Sequence, residues 1–151
     1  MDMWYFDDIP LNQPWTTEEY VVPEEEMVAF ARRWDPLPIH TDRQAAEASP
    51  HGSLIAPASY IISLASALVQ NAGPRIAYIA GLEWKTRLMA PVRAGDCLVA
   101  TCQCAYKRES SKPDRGVAQF LTVMRNQRDE TVITSEMTTL VARRGDAAAG
   151  R

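Results

Sequence analysis

An aspartate and a histidine in a short, proline-stiffened segment have the residue types that proton-transfer chemistry needs. Asp35 and His40 lie five positions apart, and Pro36 and Pro38 between them restrict the path of the backbone. A carboxylate and an imidazole brought to one point can act as general acid and base near neutral pH. On spacing alone, the alternative is a helix-ending loop with Asp35 on the surface and His40 half-buried, without a chemical role.

Four basic residues surround a polar hairpin predicted later in the chain. They are Lys107, Arg108, Lys112 and Arg115. One interpretation is a solvated loop. The other is a docking patch for a small polyanion such as the phosphates of coenzyme A, because guanidinium and ammonium groups bind phosphate well.

The remaining reactive side chains give weaker indications. His51 lies in a Pro-His-Gly-Ser turn, where we expect it to be exposed. Cys102 and Cys104 share one face of a predicted strand, and a C-x-C pair without further ligands nearby is a poor zinc site. We expect reduced, half-buried thiols and no metal. The chain has no P-loop, no G-x-G-x-x-G and no G-x-S-x-G pattern, so nothing indicates a nucleotide cofactor or a serine hydrolase.

Length and charge exclude several classes of protein. The 151 residues suit one domain, which we expect over residues 1–144, with 1–15 as an N-terminal arm and 145–151 as a flexible tail. With 16 Lys and Arg against 19 Asp and Glu, the net charge of −3 argues against a nucleic-acid partner. Polar residues and a proline interrupt the longest apolar run, which argues against a membrane helix. The acidic N-terminus lacks a signal-peptide pattern, so we expect a cytoplasmic protein.

Helical patterns dominate the first half of the chain. Pro23 and the three glutamates after it predict the start of a helix that ends before Pro36. A short helix is expected from 42 to about 48. From Pro57 to about Asn71 the pattern is helical and apolar on most sides, which predicts a helix buried in the core.

A period of two replaces the helical pattern after residue 75. The alternation predicts four strands, at 82–88, 97–107, 117–125 and 131–143, and residues 16–22 predict one more short strand. Helices followed by strands, without βαβ alternation, predict an α+β fold with an antiparallel sheet wrapped around one central helix.

A run of residues around His40 is similar to a known family signature. It reads Phe30-Ala31-x-x-Trp34-Asp35-Pro36-x-Pro38-Ile39-His40-Thr41-Asp42, followed by Ser49-x-x-Gly52-x-Leu54-Ile55-Ala56. This run resembles the MaoC-like dehydratases, the (R)-specific enoyl-CoA hydratase family. The resemblance extends through the Pro91–Asp96 loop to about residue 143, and it implies a single hotdog domain, a sheet wrapped around a long central helix.

The resemblance implies roles for particular residues. Asp35 and His40 match the family's catalytic pair with the spacing preserved. Ala58 stands where the family has a glycine whose backbone N–H binds the thioester oxygen, and Ser66 matches a serine that supports the pair. Leu37 replaces an asparagine that is usual in the family. The alternative for the Ala58 N–H is that a side chain such as that of Ser53, or water, caps it.

The substrate site implied by the resemblance takes an acyl-CoA thioester. Ile61 and Trp84 are expected to contact the acyl chain, and the four hairpin cations to contact the phosphates. The implied activity is (R)-specific enoyl-CoA hydratase or, in reverse, 3-hydroxyacyl-CoA dehydratase. It needs no cofactor, and the implied assembly is a homodimer or larger homo-oligomer.

Two other functions stay open. An acyl-CoA thioesterase of the same fold would direct water at C1 instead of C3. A non-catalytic subunit that binds acyl-CoA would account for the departures at Leu37 and Ala58. The sequence leaves open the acyl-chain length and which of Asp35 and His40 is the base.

Overall fold

The computed structural model of the chain describes residues 2–145, so the predicted tail lies outside the described residues except for Gly145. In chain order the elements are strand β1 (Met3–Trp4), a 3-10 turn (Phe6–Asp8), β2 (Trp15–Thr16), β3 (Tyr20–Val21), helices α1 (Glu24–Trp34), α2 (Pro38–Thr41), α3 (Arg43–Ala48) and α4 (Ala58–Ala72), and strands β4 (Arg75–Ile76), β5 (Tyr78–Leu88), β6 (Cys97–Glu109), β7 (Arg115–Arg125) and β8 (Thr131–Ala142). None of the described helices is both long enough and apolar enough to cross a membrane.

One antiparallel sheet dominates the structure. Its strands follow the order β2-β6-β7-β8-β5, and β3 also pairs with β6. Along β6 the residues Leu98, Ala100, Cys102 and Cys104 are buried, while the residues between them are half-exposed. Because successive side chains of a strand point to opposite faces, this alternation directs one face of the sheet to the core.

Helix α4 lies against the buried face of the sheet. Five of its 15 residues are buried in the core: Tyr60, Ile61, Leu64, Ala65 and Val69. They join the same apolar cluster as Leu98 and Phe120 from the sheet. The predicted α+β class is confirmed, and the arrangement is the expected hotdog fold, an antiparallel sheet wrapped around a central helix.

The strand predicted at residues 16–22 is wrong in one respect, because the structure divides it into β2 and β3. The hydroxyl of Thr17, in place of a backbone carbonyl, accepts a hydrogen bond of 3.0 Å from the N–H of Ala100. This side-chain bond interrupts the regular ladder between the two short strands. A second difference is that β5 begins at Tyr78, four residues before the predicted start.

The N-terminal arm lies over the domain and is fixed there by aromatic and ionic contacts. Phe6 is buried, and its ring lies so close to Gly116 that a Cβ at this glycine would come within 2.3 Å of it. The Lys107 ammonium and the Arg143 guanidinium each lie 5.0 Å from the ring centre. Arg143 also pairs with Asp7 at 3.3 Å.

Candidate active site

Asp35 ends helix α1 and lies opposite a short helix that carries His40. Pro36 prevents α1 from continuing, because a residue before proline is disfavoured in the α region. The N–H of Leu37 then donates to the Asp35 carbonyl at 2.9 Å, and Pro38 begins α2 at a position where a missing N–H costs nothing. The segment that we predict as a loop is therefore partly helical, and α2 presents His40 toward Asp35.

The side chains of Asp35 and His40 are far enough apart for one water molecule to bridge them. Nε2 of His40 lies 4.0 Å from Oδ2 of Asp35. This is too long for a direct hydrogen bond, but one water molecule can bond to both atoms. His40 is 6% exposed, whereas the Asp35 side chain is 34% exposed. The carboxylate thus lies at the mouth of the site and the imidazole lies deeper.

A backbone carbonyl sets the tautomer of His40. Nδ1 of His40 lies 2.8 Å from the carbonyl oxygen of Ile55. A carbonyl can only accept, so Nδ1 carries the proton, and in the neutral ring Nε2 has the lone pair. The N–H of Ile55 also donates to the Ile39 carbonyl at 3.3 Å. This pair of bonds ties the α2 segment to the segment that precedes α4.

Ala58 is the first residue of α4, three positions after Ile55. The helical pattern in the sequence starts at Pro57, whereas in the structure Pro57 is the N-cap, and no side chain of the described residues caps this helix. The Ser53 hydroxyl accepts from Arg93 instead, so the predicted alternative of a Ser53 cap is wrong. The N–H of Ala58 is among the donors that an α-helix leaves without an internal partner. The neighbouring Ser59 hydroxyl is buried without a hydrogen-bond partner in the described chain.

A comparison with known protein families finds one match. The sequence model of the MaoC like domain matches residues 7–123, a span that includes Asp35, His40 and Ala58. The chain belongs to the MaoC-like family. The comparison with curated proteins returns no match.

Solved structures agree with membership of the MaoC-like family. A MaoC-like dehydratase from Rhodospirillum rubrum is 27% identical with a TM-score of 0.87, over 95% of this chain and 99% of that one. A monoamine oxidase regulatory protein from Archaeoglobus fulgidus is 26% identical with a TM-score of 0.86, over 94% of this chain and 96% of that one. An R-hydratase from Pseudomonas aeruginosa shares the fold at 20% identity and a TM-score of 0.76, over 97% and 93% of the two chains.

The residues that the MaoC-like resemblance assigns to the acyl chain lie along α4 and β5. Ile61 is buried in the apolar cluster. Ser66 and Trp84 line a narrow cleft between α4 and the sheet, together with Phe120 and Cys102. Trp84 also lines a wider groove of about 580 Å³ beneath β5, and its indole N–H donates to the Ser135 hydroxyl. Contact of Ile61 and Trp84 with substrate, and support of the Asp35–His40 pair by Ser66, stay predictions.

Two of the four hairpin cations are already engaged within the chain. The Lys107 ammonium donates to the carbonyls of Phe6 and Ile9 at 2.9 and 2.7 Å. Arg115 makes two bonds of 2.7 Å to the carboxylate of Asp114. The side chains of Arg108 and Lys112 make no ion pair with any residue in 2–145. The phosphate patch therefore stays a prediction whose available members are Arg108 and Lys112.

Cys102 and Cys104 are buried structural groups. All three are free thiols, and Cys102 and Cys104 are fully buried, more so than expected. Burial raises the pKa of the Cys102 thiol to about 11, so it stays protonated at neutral pH and is no nucleophile. The described residues contain no group of three or more His, Cys, Asp or Glu side chains that could hold a metal ion.

Sequence reasoning missed Ile55, which orients His40. Every residue type has a backbone carbonyl, so no pattern of side chains marks the one that receives the imidazole proton. It also missed the contact of the Tyr60 hydroxyl with Glu26, which joins α4 to α1. Burial, and secondarily the Glu26 carboxylate, raise the pKa of Tyr60 well above its ordinary value, so this hydroxyl remains a donor.

Proposed function

We propose that this MaoC-like chain is an (R)-specific enoyl-CoA hydratase, or in reverse a 3-hydroxyacyl-CoA dehydratase. The observation that supports it is the Asp35–His40 pair, with Nε2 and Oδ2 4.0 Å apart and Nδ1 held by the Ile55 carbonyl. That spacing suits one water molecule between an imidazole lone pair and a carboxylate. Hydration of a 2-enoyl thioester uses one such water.

In the proposed reaction the pair moves protons between water and substrate. One member of the pair removes a proton from the bound water while its oxygen attacks C3. A proton passes from the pair to C2, so H and OH have added across the double bond and the pair returns to its starting state. Asp35 follows α1 and His40 lies in α2. Folding of these helices therefore sets the distance between the two side chains before substrate binds.

The start of α4 is the proposed site for the thioester oxygen. Negative charge develops on this oxygen when water attacks C3, because C2 becomes enolate-like. The N–H of Ala58 would donate to it, and the positive end of the dipole of a 15-residue helix would stabilise the charge. Alanine keeps the backbone donor that the family's glycine provides, so the departure at this position does not remove the group that the chemistry uses.

The acyl chain is proposed to follow α4 toward the sheet. Ile61 is buried on α4, and Trp84 lines the narrow cleft between α4 and the sheet. Ser66 lines the same cleft and is proposed to support the Asp35–His40 pair. Coenzyme A is proposed to remain at the surface, with Arg108 and Lys112 as its phosphate contacts.

We also propose that the protein is a homodimer paired through β5. This strand is at one end of the sheet order, and it exposes four large apolar side chains, Ile79, Leu82, Trp84 and Leu88, at 44, 52, 51 and 46%. An edge strand with exposed apolar residues is a template for pairing with another chain. The reducing compartment expected for three free cysteines is the basis for a proposed cytoplasmic location.

The deciding experiment follows the conjugated enoyl-thioester absorbance of crotonyl-CoA and longer 2-enoyl-CoAs, with chiral analysis of the product. Loss of absorbance with formation of the (R)-3-hydroxyacyl-CoA supports the proposal. Release of free coenzyme A, detected with a thiol reagent, would instead identify the thioesterase. Binding without turnover of any chain length would identify the non-catalytic subunit.

A further inference from the structure

Arg93 makes two side-chain hydrogen bonds to the 51–56 segment, which leads into the candidate active site. This arginine lies in the loop between β5 and β6. Its Nε donates to the Ser53 hydroxyl at 2.9 Å, and its Nη2 donates to the His51 carbonyl at 3.1 Å. A guanidinium presents several donors in a rigid fork, so two bonds to residues two positions apart define the orientation of that stretch of backbone.

The loop that carries Arg93 is itself immobilised by a buried carboxylate. Asp96 is 5% exposed, and one of its oxygens accepts from the backbone N–H of Arg93 at 2.8 Å. Its other oxygen accepts from the Gln127 amide at 2.9 Å. The backbone of Val22, just before α1, bonds to Gly95 and Asp96 at 2.8 and 2.9 Å. The loop is therefore a fixed point for the segments that lead to both members of the acid–base pair.

The bonds of Arg93 end two residues before the carbonyl that holds His40. After Ser53, the chain continues through Leu54 to Ile55, whose carbonyl accepts from His40 Nδ1. The N–H of Ala56 then donates to the Val92 carbonyl at 2.8 Å. Ile55 thus lies between two attachments to the same loop, one through the Arg93 side chain and one through the Val92 backbone.

We propose that Arg93 is a positioning residue for the acid–base pair. It acts through the 51–56 segment, which keeps the Ile55 carbonyl at Nδ1 of His40 and so keeps the Nε2 lone pair directed at Asp35. In the described structure, Arg93 makes no hydrogen bond or ion pair with Asp35 or His40. The catalytic consequence rests on the proposed function, whereas the effect on the tautomer of His40 does not.

The test combines Arg93→Met with nitrogen NMR of the imidazoles. The chain has only two histidines, and His51→Gln assigns the signals of His40. In the unaltered protein, at a pH where both rings are neutral, His40 should have a protonated Nδ1 and an unprotonated Nε2. In Arg93→Met the two nitrogen signals should move toward each other as the other tautomer gains population. In the hydration assay kcat should fall about 10- to 100-fold with KM changed less than about twofold, because geometry is lost and substrate contacts are not.

Arg144→Met is the matched control. Arg144 also joins two segments of the chain, because its Nη2 donates to the Asp8 carboxylate at 2.9 Å and its guanidinium lies 4.9 Å from the ring centre of Tyr5. Neither contact involves the 51–56 segment or the Arg93 loop. The control should leave the His40 signals and kcat unchanged. If Arg93→Met does not fold, Ser53→Ala removes one of the two bonds and should move the His40 signals in the same direction by a smaller amount.

Unchanged His40 signals in a folded Arg93→Met or Ser53→Ala protein would overturn the proposal, even if the melting temperature had fallen. A tautomer shift in a protein that hydrates no enoyl-CoA would support the positioning role and refute only the proposed function.

Discussion

The hydroxyl of Tyr60 donates a hydrogen bond of 2.6 Å to the carboxylate of Glu26, which joins the first turn of α4 to the first turn of α1. The ring of Tyr60 also packs edge-on against Phe30, at 5.5 Å between ring centres. The helix that ends at Asp35 and the helix that begins at Ala58 are therefore fixed to each other at their N-terminal ends.

Removing the Tyr60 hydroxyl should destabilise the fold. Tyr60→Phe takes away a buried donor to a carboxylate, which typically costs about 1–3 kcal/mol of the free energy of unfolding, measured by urea denaturation. Tyr20→Phe is the control, because Tyr20 donates to the same carboxylate at 2.9 Å in a more exposed position. It should cost less than about 0.5 kcal/mol. Equal losses of unfolding free energy in Tyr60→Phe and Tyr20→Phe would contradict the conclusion that burial strengthens the bond from Tyr60.

Asp35→Asn and His40→Ala should each abolish hydration without unfolding the protein. Loss of one member of an acid–base pair lowers the rate about 10²- to 10⁴-fold. Circular dichroism would verify the fold, and kcat/KM on the best enoyl-CoA would measure the loss. His51→Ala, in an exposed turn, should keep the full rate. Either site variant at full rate would show that the pair is not catalytic.

The hairpin cations should separate into two classes. Arg108→Ala combined with Lys112→Ala should raise KM several-fold at nearly constant kcat, because phosphate contacts are equal in the ground and transition states. Lys107→Ala should instead lower the melting temperature, because Lys107 holds two carbonyls of the N-terminal arm. An unchanged KM in the double variant would remove these residues from the coenzyme A site.

A charge on β5 should disrupt the proposed homodimer. Leu82→Glu places a carboxylate in the exposed apolar row of the edge strand, and sedimentation should then give the mass of one chain where the unaltered protein gives two. Lys112→Glu changes an exposed residue of the hairpin and should leave the mass at two chains. If the unaltered protein sediments with the mass of one chain, the proposed homodimer is refuted.

Stability should fall between about pH 9 and pH 11, partly because of Cys102. The ordinary thiol pKa is 9.0, and burial raises that of Cys102 to about 11 in the folded protein. Within this window the unfolded chain releases the proton and the folded chain retains it, so rising pH favours unfolding by about 1.4 kcal/mol per pH unit. Cys102→Ala should show a shallower decline in urea unfolding than the unaltered protein. An equal decline of the unfolding free energy with pH in both proteins would contradict a contribution from Cys102.

The sequence predicts those parts of the fold that repeat a pattern. The apolar surface of α4 predicts a buried helix, which lies where expected. The period of two after residue 75 predicts strands, but the alternation at 82–88, which is typical of a half-buried strand, belongs to β5, in which these residues are exposed on both faces. The short helix α2 escapes prediction, because a helix of four residues is too short for a period to be detected. The type and spacing of Asp35 and His40 are readable, but the Ile55 carbonyl that orients the imidazole has no signature.

The hairpin cations show a second limit of prediction from sequence. Four basic residues close in sequence suggest one surface patch, yet Lys107 is turned toward the arm because two unpaired carbonyls are within its reach. The partners of a flexible, charged side chain are set by distant segments, here about a hundred positions away. Local sequence cannot reveal them.

The N-terminal arm brings the two ends of the described chain together. Asp8 pairs with Arg144 at 2.9 Å, next to the Asp7–Arg143 pair. A circularly permuted gene could therefore join these ends through a short linker and open the chain in the exposed turn between Arg128 and Asp129. Every strand pairing would be retained, while β8 would precede β5 in the order of synthesis. Such a permutant would place new termini on the β7–β8 turn, where a tethered acyl carrier or affinity handle could be attached without touching the arm.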